Sequence, residues 1–180
     1  MLTPPCTWTI RITDTNDNGL DGTVDYAGID IQPADGADDI TGGDGTGDLV
    51  NYVGRDGDIT YTGEDNLAND GESNEGDNVR DDVEWVYGGA GDDTLTGTNN
   101  TNGGFNDLRG MMGNDTVNGL AGNDWLDNHA SWGRDRLDGG AGNDRLDGGV
   151  GVKPEDFMDG GDGTDTCRNG KVVRNCENII

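Results

Sequence analysis

The large apolar residues of this chain fall singly and at intervals. Leu95, Leu108, Val117, Leu126, Leu137, Leu146, Met158 and Cys167 each stand among polar neighbours, and the base interval between them is nine residues. Two residues before each stands Asp93, Asn106, Asp115, Asp124, Asp135, Asp144, Asp156 or Asp165. Four before stand Gly91, Gly104, Gly113, Gly122, Gly133, Gly142 and, in the last unit, Gly163. The unit is G-G-x-G-x-D-x-U-x with U apolar, and a fixed period of this kind marks a stacked repeat architecture. Units at 97–109 and 128–138 are lengthened, and "GGVGVKPEDFMD" inserts residues between Gly151 and Asp156.

Each part of the unit predicts an element. "GGAGND" reads as a tight turn, because glycine reaches backbone angles closed to other residues. "RLD" and "TLT" read as short strands with the central side chain on one face and its neighbours on the other. Two units, about 18 residues, make one coil, and coils stack with parallel strands about 4.8 Å apart. Val86 extends the ladder one step upstream, and Ile40 with Leu49 shows the same spacing. "DITYT" predicts a strand with Ile59 and Tyr61 on one face, and "VEWVY" one with Val83, Trp85 and Tyr87 opposite Val86. The organisation expected is an N-terminal strand and Asx-rich turn region at 1–33, a degenerate block at 34–87, repeats at 88–168 and a cap at 169–180.

Composition sharpens the problem. Only 30% of residues are hydrophobic and 6% aromatic, and Asp plus Glu number 37 against 11 Lys plus Arg, a formal charge of −26. Such a balance ordinarily leaves a chain disordered, but disorder does not predict ordered spacing. The acidity argues against nucleic acid, whose phosphates select Lys and Arg, and against anionic membrane surfaces. No apolar run approaches a bilayer span, and "MLTPPCTWTI" has neither the basic nor the apolar region of a signal peptide.

Stacking places successive aspartates above one another. Two carboxylates about 5 Å apart at an effective dielectric near 20 repel by roughly 3 kcal/mol. One buried Leu per unit contributes about 1.5–3 kcal/mol. Cations between the turns would resolve the imbalance, and an environment of carboxylate and carbonyl oxygens suits Ca²⁺ better than Mg²⁺ or Zn²⁺.

Residues 86–168 resemble the RTX family, the haemolysin-type calcium-binding nonapeptide repeats. The resemblance implies an all-β, right-handed parallel β-roll solenoid that binds several Ca²⁺ between successive coils, secretion, and folding triggered by calcium outside the cell. It makes Asp93, Asp115, Asp124, Asp135, Asp144, Asp156 and Asp165 ligand candidates, completed by turn carbonyls. Asn106 would be a neutral ligand in its unit. Residues 34–87 resemble, less specifically, the degenerate blocks that interrupt such repeats in extracellular proteins.

Other constellations admit plainer alternatives. Asp70, Glu75 and Asp77 sit in an acidic loop and are candidates for a separate Ca²⁺ or a solvated surface. Asp14, Asn16, Asn18, Gly19 and Asp25 match an EF-hand loop pattern. Their flanks are strand-like, so a calcium-stabilised turn competes with an ordinary Asx-rich one. Catalysis lacks equipment: the one histidine, His129, and the serines Ser73 and Ser131 have no supporting scaffold. Trp125 and Trp132 either stack on a sugar or cover the edge of a thin core. Cys167 and Cys176 are expected to form a disulfide closing a hairpin that caps the last coil, with Cys6 left over. Three cysteines suggest an oxidising compartment. The expectation is an extracellular, calcium-binding structural or adhesive domain without catalysis. A fibre subunit, or an appendage of an extracellular enzyme or adhesin, is the alternative, with calcium, other copies of the chain or a polysaccharide surface as partners.

Overall fold

The computed structural model describes residues 29–30, 37–42, 47–73, 75–99, 104–128, 133–149 and 156–180. Every regular element among them is a strand. The strands form two main ladders facing each other across a thin core. The first sheet has eight strands and runs Ile29–Asp30, Leu49–Asn51, Trp85–Tyr87, Asp107–Arg109, Trp125–Asp127, Arg145–Asp147, Thr166–Arg168, Asn178–Ile179. The second has seven: Val172–Arg174, Phe157–Asp159, Arg136–Asp138, Thr116–Asn118, Thr94–Thr96, Ile59–Thr62 and Gly71–Glu72. Successive repeats alternate between the sheets, so the chain winds as a β-roll.

Register puts the apolar positions directly over one another. In the first sheet Val50, Val86, Leu108, Leu126, Leu146 and Cys167 are aligned partners. In the second, Tyr61, Leu95, Val117, Leu137 and Met158 are aligned. All are buried. Each strand is only long enough to send one side chain inward, which is why one apolar residue per unit suffices.

Three details differ from what the sequence suggests. Val50, not Leu49, is the core residue of its strand, because Leu49 pairs with Trp85 on the outer face. Val83 is buried, although Trp85 and Tyr87 lie opposite Val86 as expected; it precedes the strand, where alternation no longer applies. The Cys167–Cys176 disulfide is present, but the segment it closes is not a hairpin. Val172–Arg174 pairs parallel with Phe157–Asp159, and Asn178–Ile179 pairs parallel with Thr166–Arg168. The tail thereby continues both ladders and occupies the N–H and C=O groups that the last repeat would otherwise leave open.

Upstream, both ladders pass without interruption from the repeats into residues 49–62. There the pattern is less regular: Ile59–Thr62 pairs antiparallel with Gly71–Glu72, and Asp39–Ile40 pairs parallel with Asn78–Val79. Four arginines of the roll, Arg109, Arg136, Arg145 and Arg174, lie on the outer faces of its strands. Arg109 stacks over Tyr87 and Trp125 at 4.5 and 5.7 Å, Arg145 over Trp125 at 4.9 Å, and Arg136 and Arg174 over Phe157 at 4.6 and 5.2 Å. Trp125 is thus packed between two guanidinium groups on neighbouring strands. Arg109 and Arg136 also pair with Asp107 and Asp138 of their own strands, so these four cations are engaged away from the turns.

Candidate metal centre

The turns form two rims. Segments 119–124, 139–144 and 160–165 lead from the second sheet to the first and stack as one rim; segments 88–93 and 110–115 belong to the opposite one. At each D position of the repeat the side chain is at most 2% exposed, from Asp93 to Asp165. A buried carboxylate must find partners or lose its charge.

One oxygen of each carboxylate finds a main-chain partner. On the first rim, Asp124 N–H donates to Asp144 Oδ1 at 2.8 Å, Asp144 N–H to Asp165 Oδ1 at 2.8 Å, and Asn106 N–H to Asp124 Oδ1 at 2.8 Å. On the second, Ile59 N–H donates to Asp93 Oδ1 at 2.7 Å, Asp93 N–H to Asp115 Oδ1 at 2.9 Å, Asp115 N–H to Asp135 Oδ1 at 3.1 Å, and Asp135 N–H to Asp156 Oδ1 at 3.0 Å. Every coil is therefore tied to the next by an aspartate, and charge-assisted bonds of this kind contribute about 1.5–3 kcal/mol each. Asn106 holds the same place with a neutral amide, whose Oδ1 accepts the Thr98 N–H at 3.0 Å.

The residue just before each D position makes a second ladder that points the other way. Asn143 N–H donates to Asn123 Oδ1 at 2.8 Å and Thr164 N–H to Asn143 Oδ1 at 2.9 Å. On the opposite rim Asp92 N–H donates to Asp58 Oδ1, Asn114 N–H to Asp92 Oδ1 and Arg134 N–H to Asn114 Oδ1, at 2.8, 2.8 and 2.9 Å. The doublets "ND" and "DD" thus clamp each coil from both sides. Residue counting along one unit does not reveal this, since the donors lie 18–22 residues away within the repeats.

The second carboxylate oxygens differ between rims. On the first, Asp124 Oδ2, Asp144 Oδ2 and Asp165 Oδ2 are buried and have no hydrogen-bond partner among the described residues. Each faces the glycine that opens its own turn. A Cβ on Gly119 would lie 2.6 Å from Asp124 Oδ2 and 2.6 Å from the Gly139 carbonyl oxygen; one on Gly139 would lie 2.5 Å from both Asp144 Oδ2 and the Gly160 carbonyl. These are cradles of carboxylate and carbonyl oxygen that any side chain would fill. On the other rim Asp93 Oδ2 accepts the Gly89 N–H at 2.6 Å and Asp115 Oδ2 accepts the Asn128 side-chain amide at 3.2 Å.

Burial raises the carboxyl pKa values: to about 7 for Asp115 and Asp124 and about 6 for Asp93 and Asp144, with Asp165 raised as well. Desolvation is the main cause in each, and neighbouring carboxylates add to it, as Asp144 does for Asp124. Among the described residues, none of these aspartates forms an ion pair with Lys or Arg. Nor do three His, Cys, Asp or Glu side chains converge anywhere among them. A cation on the first rim would instead be held by one carboxylate oxygen per unit and by carbonyls of the adjoining coil. Hard oxygens in this flexible arrangement fit Ca²⁺.

The acidic loop is arranged differently. Asp70 accepts the Thr62 and Val79 N–H groups at 2.9 and 2.8 Å, and Asp77 accepts the Asp38 N–H at 3.1 Å and the Tyr52 hydroxyl at 3.4 Å. Glu75 pairs with the buried Arg55 and accepts the Glu72 N–H. Backbone donors and a guanidinium thus engage all three, and they do not gather into one cage. Asp14, Asn16, Asn18 and Asp25 lie outside the described residues, as do His129, Ser131, Trp132 and Cys6.

Further members of the D-position series are Asp38, Asp48 and Glu84, all buried, each two residues before a buried Ile40, Val50 or Val86. Asp48 N–H donates to Glu84 Oε2 at 3.2 Å, the same tie as in the repeats. The signal in the sequence was the D-x-U spacing itself, hidden for Asp48 by the one-residue shift from Leu49 to Val50.

A family model for the RTX calcium-binding nonapeptide repeat matches the chain in four copies, at residues 80–102, 100–128, 129–152 and 153–170. Together they span 80–170, half of the chain. No curated protein matches it.

Proposed function

The chain belongs to the RTX calcium-binding repeat family, and from that premise we propose that this Ca²⁺-binding β-roll is an extracellular structural or adhesive domain that folds as it takes up calcium. The observation that carries the proposal is the line of buried, unpartnered oxygens on Asp124, Asp144 and Asp165, each facing a glycine and a carbonyl of the adjoining coil. When bound, calcium would neutralise those carboxylates and join neighbouring coils. The chain's own ladders set the spacing at which the oxygens meet. Because the cradles span two coils, an unfolded chain does not contain them, so binding free energy would become folding free energy.

The role proposed is non-catalytic. No helix of the described residues is long and apolar enough to cross a membrane, and the acidity disfavours anionic surfaces. Circular dichroism during a calcium titration tests the coupling. A β signal that grows as calcium rises supports it; a β signal and melting temperature that are the same in excess EDTA and in excess calcium refute it.

A fibre subunit is the second reading, favoured by one observation. Among the described residues, Asn178–Ile179 has a strand neighbour on one side only and lies beside exposed Ile179 and Ile180. Sedimentation decides: calcium-dependent growth of large species supports the fibre, and a monomer with and without calcium removes it.

A further inference from the structure

We infer that the non-repeat tail completes an additional cation site with the last repeat, built from Asp165 and Asn175 and kept in place by the Cys167–Cys176 disulfide. The inference rests on the calcium-binding reading of the first rim and extends it beyond the matched repeats, which end at residue 170.

The position of Asn175 carries the inference. Along the first rim, the carbonyl facing each cradle comes from the opening glycine of the next coil: Gly139 for Gly119, and Gly160 for Gly139. The last repeat has no such glycine after it. The carbonyl facing Gly160 is that of Asn175, opposite Asp165 Oδ2 at 2.6 Å from the same Cβ position. Asp165 is fully buried, and its Oδ2 has no hydrogen-bond partner among the described residues. Glu177 completes the imitation: its Oε2 accepts the Asp165 N–H at 2.8 Å, the tie that an aspartate makes in each repeat. Asn175 adopts φ 47°, an angle that asparagine tolerates better than most residues.

The tail achieves this with a shortened turn. In a repeat, four residues separate the opening glycine from the D position, as 161–164 separate Gly160 from Asp165. Between Asn175 and Glu177 there is one, Cys176. The glycine turn of the repeat is missing, and Cys176 is bonded instead to Cys167, a core residue in the strand of the preceding coil. That bond ties the only residue between the carbonyl donor and Glu177 to the core. Without it, the site depends on two short strands, Val172–Arg174 and Asn178–Ile179, each paired on one side only among the described residues, an arrangement in which ladders open readily.

The full chain carrying Cys6→Ser, so that only this pair can oxidise, tests the inference by calorimetric calcium titration with and without a phosphine reductant. The oxidised chain is expected to bind one more equivalent than the reduced chain, or to bind that equivalent at least tenfold more tightly. Asp165→Asn is expected to remove the same equivalent while the disulfide stays formed, which keeps the test decisive if reduction unfolds the end coil. Equal stoichiometry and affinity in the oxidised and reduced chains would overturn the inference, as would an unchanged titration in Asp165→Asn. If the inference alone fails, Asp124→Asn still loses calcium in either redox state. If the broader reading fails, no chain takes up calcium at all.

Discussion

Asp144 accepts the main-chain N–H of Asp124 on one oxygen, at 2.8 Å, and turns the other toward Gly139 with no partner. The same carboxylate therefore both joins two coils and presents a donor to a cation. Substitution can separate the roles. Asp144→Asn keeps an acceptor for Asp124 N–H but removes the charge, so apo stability at neutral pH should hold or rise while calcium affinity falls by an order of magnitude or more. Asp144→Ala loses both, and the orphaned N–H should cost a further 1–3 kcal/mol or so. Paired calcium titrations and urea melts in EDTA read the two effects independently.

Gly139→Ala places a methyl group where Asp144 Oδ2 and the Gly160 carbonyl already crowd the space. It should abolish calcium uptake on that stretch of the rim and lower the melting temperature in calcium. Gly54→Ala is the control: its φ of 100° strains alanine, but nothing lies within 4 Å. That variant should lose about 1–2 kcal/mol of stability and keep its calcium stoichiometry.

The elevated carboxyl pKa values fix a direction with pH. Between the unfolded value near 3.9 and the folded values of about 6 to 7 for Asp144, Asp93, Asp115 and Asp124, the folded chain holds more protons than the unfolded one. Stability without calcium is then greatest at the acid end of that window and declines as pH rises through 6 and 7. Calcium competes with protons for the same oxygens, so its stabilisation should grow over the same interval. Melting temperatures in EDTA at several pH values, set against those in excess calcium, check both signs; a flat EDTA series would contradict the burial of these groups.

Asn143 accepts the Thr164 N–H through Oδ1 and donates its own N–H to Asn123. Asn143→Ala should destabilise the roll by about 0.5–1.5 kcal/mol, equally with and without calcium, since the side chain faces no cradle. A loss confined to the calcium form, seen by chemical denaturation, would show that this ladder serves the metal instead.

Much of this was legible because the repeat is periodic in its apolar residues. Leu95, Leu108, Val117, Leu126, Leu137, Leu146, Met158 and Cys167 all occupy the core positions their spacing predicts. Where spacing failed, a physical reason is visible. Val50 replaces Leu49 because both are apolar and only pairing with Val86 chooses between them. The tail looked like a hairpin because a short loop between two strands usually is one, whereas the open ladders of the preceding coil offered both strands a parallel partner. The largest omission concerns the aspartates. Mutual repulsion was the foreseeable consequence of stacking them, but half of each carboxylate is satisfied by backbone N–H groups that only the folded register brings near.

The opposed directions of the two side-chain ladders bear on how the roll comes apart. A coil in the middle is gripped by its predecessor through one residue and by its successor through the next, so slipping it sideways breaks both grips at once. Dismantling is easier from an end, where one grip is already missing. Such a rod should unravel like knitting, row by row from its loose end, and regrow the same way.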